Sequence, residues 1–169
     1  MGTTVITDGI PQPTRGMLTF TTPPLEHDIE VTGKITLVLY AESDRTDTDF
    51  HVKISEQKAV AKLKQTLMRK VAKNVPRPSA MVTRGWLKAS HRTHPTQPIE
   101  PGTVVRYEIE FWPTSHLFPK GSRIRLEIAN GDSAVADGLL HHYYGHQVGR
   151  DLVHHDGDHP SHLILPVIR

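Results

Sequence analysis

The sequence predicts an all-β sandwich or jelly roll, interrupted by one amphipathic helix. Three observations carry this expectation. Apolar residues alternate with polar ones at period two in segment after segment, turn residues separate those segments, and only one stretch switches to a helical period. With 13 Pro and 12 Gly in 169 residues, the chain is punctuated far more like a β protein than like a helical bundle.

Taken in order, Met17–Thr21 is the first strand candidate, closed by Pro23 and Pro24. Gly33 opens the next, in which Ile35, Leu37, Leu39 and Ala41 alternate with Lys34, Thr36, Val38 and Tyr40. Phe50, Val52 and Ile54 then alternate with His51, Lys53 and Ser55. Between Glu56 and Asn74 the period changes: Val60, Leu63, Leu67 and Val71 recur at three- and four-residue steps with lysines between them. That spacing predicts an amphipathic helix around 56–75, stopped by Pro76 and Pro78. Met81–Ala89 returns to strand character. Pro101 and Gly102 precede a long strand in which Val105, Tyr107, Ile109 and Phe111 share a face. Lys120 and Gly121 introduce Ile124, Leu126 and Ile128, and His162–Ile168 closes the chain. Strands with one wet face are the habit of antiparallel sheets.

Composition narrows the function. The net charge is only +2, and residues 56–73 alone carry +5 through Lys58, Lys62, Lys64, Arg69, Lys70 and Lys73 against Glu56, leaving −3 elsewhere. A basic excess confined to one segment is not a nucleic-acid footprint, and no nucleic-acid partner is expected. No apolar run approaches the ~18 residues of a membrane span, so no membrane partner is expected. Zero cysteines remove disulfides, thiolate metal sites and a Cys nucleophile, and fit a cytoplasmic location. The expected organisation is an N-terminal extension over 1–16 followed by a single domain over 17–169.

Five blocks in order resemble one known module. They are 18–25 (LTFTTPPL) with 29–33 (IEVTG) and 47–50 (DTDF); 82–92 (VTRGWLKASHR) with 99–102 (IEPG); 112–118 (WPTSHLF); 121–128 (GSRIRLEI); and 159–168 (HPSHLILPVI). The module is the C-terminal β-domain of X-prolyl dipeptidyl-peptidases and cocaine-esterase-like serine hydrolases. The resemblance implies a jelly-roll, galactose-binding-like β-sandwich attached to an α/β-hydrolase catalytic domain. It implies too that the family's Ser, Asp and His lie in that other domain, since no position here matches them. The chain departs from many relatives over 56–80, where they carry a short hairpin.

The chain's own residues offer few patterns that carry chemistry. A nucleophile elbow needs Gly-x-Ser-x-Gly; the nearest approach, at Gly131, Asp132 and Ser133, has Val135 in the second Gly position and reads as a turn. No phosphate loop, dinucleotide fingerprint or His-Glu-x-x-His occurs. Seven of the 12 histidines fall between residues 141 and 162, with Asp151, Asp156 and Asp158 among them. On a helix, His142 with His146 or His155 with His159 could chelate zinc or nickel. Gly145, Gly149 and Gly157 favour loops instead, so the expectation is a polar loop, with no resident metal or cofactor. Tyr143 and Tyr144 are the candidates for stacking on a sugar, whereas Trp86 and Trp112 read as core or interdomain packing.

The functional expectation is a noncatalytic jelly-roll module that buttresses a serine acyl hydrolase of the X-prolyl peptidase or esterase type. Its expected partners are the catalytic domain, on the same or a separate chain, and a second copy in a homodimer. A stand-alone carbohydrate- or protein-binding sandwich is the competing expectation.

Overall fold

The computed structural model describes residues 4–7, 10–13, 17–58, 79–130 and 149–168. Thirteen strands run through them: β1 (Thr4–Thr7), β2 (Ile10–Pro13), β3 (Leu18–Thr21), β4 (Ile29–Gly33), β5 (Thr36–Ser43), β6 (Asp49–Gln57), β7 (Ser79–Lys88), β8 (Val105–Glu110), β9 (Thr114–Phe118), β10 (Arg123–Ala129), β11 (Asp151–His154), β12 (His162–Ile164) and β13 (Val167–Ile168). One 3₁₀ turn, Ala89–Arg92, follows β7, and the described residues contain no α-helix. Strands β1 and β2 pair only with each other.

Two layers make the sandwich. The first has strand order β3-β10-β6-β7, every pair antiparallel. The second is built on β4 and β5, which run on from one another. Strand β5 pairs β8 on one edge, and β11 then β12 on the other; β4 pairs β9 and β13. The lateral order, β8-β5-β12, repeats as β9-β4-β13, so three long strands cross this layer and each bends midway. Gly33 (φ 129°), Pro113 and Pro166 sit at the bend. Backbone bonds continue through it, Phe111 N–H to Ile35 O at 3.0 Å and Thr32 N–H to Pro166 O at 3.0 Å.

The core lies between the layers, where the period-two pattern sends it. Leu37, Leu39, Ala41, Tyr107 and Ile109 from the second layer meet Phe50, Val52, Ile54, Ile124 and Ile128 from the first, and Val31 and Phe118 extend the core past the bend. Tyr107 packs on Phe50 with ring centroids 5.0 Å apart, and burial pushes its hydroxyl up to about 12.

The all-β expectation is met, with three differences. Glu56 and Gln57, expected to begin the helix, are the last residues of β6, paired with β10 and β7. Glu56 is buried there with its carboxylate 3.1 Å from His116 Nε2, a fixed polar contact that outweighs helical spacing. The rest of the expected helix, residues 59–75, lies outside the described residues. The single strand expected over His162–Ile168 is cut at Leu165 and Pro166 into β12 and β13. Strands β1, β2, β4, β9 and β11 lie outside the expected strands; Gly33 ends β4 rather than only opening β5, and β11 occupies part of what reads as a polar loop.

Gly85 ties one layer to the other. It bridges Phe111 across the corner between β7 and β8. A Cβ on Gly85 would lie inside the van der Waals envelope of the Glu110 carbonyl oxygen and only 3.2 Å from Phe111 Cα. Backbone cannot yield as a flexible side chain can. Gly85→Ala is therefore expected to cost about 1–3 kcal/mol, as overpacking does. The check is a urea melt of the variant against the parent chain; equal midpoints would show that the corner tolerates a methyl group.

Candidate functional site

Several residues singled out by sequence lie outside the described residues: Ser133, His142, His146, Tyr143 and Tyr144. The structure places His155 and His159 apart in role. The His155 ring meets the edge of Phe20, centroids 6.1 Å apart, whereas His159 packs against Tyr40 at 5.6 Å and His154 at 5.4 Å.

The grouping comes from a strand end and a turn, not from a helix face. His154 ends β11, held opposite Tyr40 of β5. The chain then turns on Asp156, whose Oδ1 accepts the backbone N–H of Asp158 at 2.9 Å and of His159 at 2.8 Å. The His159 amide, helped by that of Asp158, holds the Asp156 carboxyl below the usual carboxylate range. Ser161 closes the turn: its hydroxyl donates to the His154 carbonyl at 2.5 Å and accepts from the Tyr40 amide at 2.9 Å. Donor atoms of His154, Asp156 and His159 consequently lie within 4.8 Å of one another. Four-residue spacing pairs His155 with His159 and leaves His154 and Asp156, members of the same His- and Asp-rich run, unpaired. The signal was the 156–158 run, DGD, a side-chain-capped turn.

A second polar centre sits where β5 crosses to β6. Asp47 Oδ1 accepts the amides of Thr48 (3.0 Å) and Ser90 (2.9 Å), and Oδ2 faces Lys88 Nζ at 3.1 Å. Burial alone would push this carboxyl up; the bonds from Ser90 and the Lys88 ammonium outweigh it and hold it below the usual range. Burial would likewise lower Lys88, and Asp47 reverses that, raising it. Nearby, Asp151 accepts from the Thr48 hydroxyl at 2.7 Å and from the Asn130 amide.

The third feature is aromatic. The backbone of Trp112 is fastened to β7 on both sides, its N–H to Arg84 O at 3.0 Å and its carbonyl accepting from Thr83 Oγ1 at 2.7 Å. Trp112 is nonetheless 60% exposed, beside Trp86 at 45%, with ring centroids 5.8 Å apart. Neither ring belongs to the core, which removes one of the two roles expected for them. Met81, further along β7, is also exposed.

Comparison with known proteins adds identity to this geometry. The family described as the X-Pro dipeptidyl-peptidase C-terminal non-catalytic domain matches residues 8–164. A Mycobacterium tuberculosis protein described as a serine esterase is 31% identical over 137 residues, 70% of this chain and 19% of that protein. Cocaine esterase of Rhodococcus is 24% identical over 169 residues, covering 90% of this chain and 26% of the esterase. Among solved structures, an aminopeptidase from a marine-sediment thaumarchaeote superposes with a TM-score of 0.74 at 18% identity, over 92% of this chain and 26% of that one. A CocE/NonD family hydrolase of Staphylococcus aureus gives 0.70 at 20% identity, over 90% and 30%. The chain thus spans about a fifth to a quarter of the length of the curated relatives, 19% and 26%.

Asp47 has a measurable signature. Its folded carboxyl titrates below its unfolded value, so its contribution is present above about pH 4 and drains as pH falls through the lower folded value. Asp47→Asn is expected to lower stability at neutral pH by about 1–3 kcal/mol through lost charge-assisted bonds. It should also flatten the loss of stability on acidification. Melting temperatures of both proteins across the acid range check this; parallel curves would assign the acid response elsewhere.

Proposed function

The chain belongs to the family of X-Pro dipeptidyl-peptidase C-terminal non-catalytic domains, and from that premise we infer that it serves a serine acyl hydrolase as a docking and buttressing module. The catalytic domain would supply the nucleophile, its base and the oxyanion donors. This module would supply a rigid wall.

The observation that carries the reading is the Trp86–Trp112 pair. Two indoles held out from a corner where β7 and β8 are locked together resemble a preformed hot spot. Large aromatic anchors on fixed backbone lose little entropy on docking and dominate interface energies. In isolation the same face would pair two copies of the chain. Cytoplasmic action and cleavage of X-Pro peptides or acyl esters complete the proposal.

Two experiments bear on it. The chain alone should hydrolyse neither p-nitrophenyl esters nor X-Pro amides, and a fluorophosphonate probe should leave it unlabelled; stoichiometric labelling of one serine, Ser133 first among candidates, would make it an enzyme in its own right. Trp86→Ala with Trp112→Ala should shift the isolated chain toward monomer in sedimentation, and should weaken its association with the hydrolase domain by tenfold or more. Unchanged association would move the docking face elsewhere.

A further inference from the structure

The turn after β11 brings two imidazole nitrogens to the two oxygens of one carboxylate without bonding them. His154 Nδ1 lies 3.9 Å from Asp156 Oδ2, and His159 Nδ1 lies 3.5 Å from Asp156 Oδ1. Both exceed the ~2.7–3.2 Å of a hydrogen bond. A turn closed merely by imidazole–carboxylate bonds would have drawn these atoms together. Around a tetrahedral zinc with bonds of ~2.0–2.1 Å, ligand atoms stand about 3.3 Å apart. The two nitrogen–oxygen gaps are wider than that, and one ligand atom from each residue lies within 4.8 Å of the others, so an inward movement of the two rings would bring three of four ligands into place.

The surroundings fit the same chemistry. Asp156 is fixed by two backbone amides on Oδ1, which orients its carboxylate as a ligand. His159 is held between Tyr40 and His154, which restricts its ring. The far nitrogen of His154, Nε2, is shielded from solvent, lacks a hydrogen-bond partner, and sits 3.8 Å from Glu42 Oε2. A metal-bound histidine commonly directs its other N–H at a carboxylate, which fixes the tautomer and strengthens the ligand. With metal on Nδ1, the Nε2 proton of His154 would point at Glu42.

We propose that His154, Asp156 and His159 form a zinc site, with Glu42 supporting His154 and the fourth position left to water. Two imidazoles and one carboxylate suit a borderline cation such as zinc better than calcium or magnesium, which prefer all-oxygen shells. The site is independent of the docking reading. Its effect is to clamp the end of β11 to the turn that leads into β12.

The test uses the full 169-residue chain without a histidine tag, titrated with zinc alone in a calorimeter and followed by thermal melting. One zinc binds per chain in the micromolar range or tighter. At about a hundredfold excess over Kd the melting temperature rises by roughly 5–10 °C, and chelator reverses the rise. His154→Ala and His159→Ala each weaken binding by about tenfold or more. Asp156→Asn does the same while its carbonyl still accepts the two turn amides, so its loss of zinc is separable from a loss of fold. His155→Ala and His142→Ala bind as the parent does. Absence of binding at micromolar zinc overturns the site. So does binding that survives in all three ligand variants, or that is lost in His142→Ala and kept in His154→Ala.

Discussion

The carboxylate of Asp47 answers the hardest demand this sandwich makes. A chain that leaves one layer at Ser43 and enters the other at Asp49 must cross the end of the core, where backbone groups have no ladder to join. Asp47 takes the amides of Thr48 and Ser90 and faces Lys88. Thr46 and Thr48 lend their carbonyls to Ile99 and Ala89. The excursion from Ala89 to Ile99 is thereby pinned over the crossing, and Ile99 and Ala89 are driven into the core. Residues 88–90 thus meet the crossing at one acid, and Ile99 is tied to it through Thr46.

That constraint explains what could be read from the residues. Strands β5, β6, β8 and β10 were legible because each buries one face, and burial writes itself as alternation. Strand β9 was not, because its polar residues Thr114, Ser115 and His116 hide a strand whose inner contacts are Phe118 and the Glu56–His116 pair. Strand β11 was not, because it has only four residues and borrows its register from β5. The order of the blocks pointed to the family, and the family match over residues 8–164 bears that out. The histidine grouping stayed hidden for a different reason. Spacing along a chain predicts proximity only for a regular period, and the 154–159 turn has none.

Much of the fold is spent on fixing backbone. The corner at Gly85, the fastened Trp112 and the bend through Gly33, Pro113 and Pro166 all fix backbone that carries no reacting group. A scaffold of this kind contributes to a partner by position. The exposed indoles of Trp86 and Trp112 stand on backbone fixed in this way.

Among the described residues the outer edge of the second layer is divided, which bears on sheet extension. Strand β5 meets two short pieces there, β11 of four residues and β12 of three, with the 155–161 segment looped out between them. A long flat edge would offer an unbroken row of amides and carbonyls to any passing strand, inviting runaway sheet extension. Here the row is interrupted after four residues, and the interruption bears Asp156 and Asp158. The aspartates and the bulging turn deny an incoming strand a continuous register along this edge.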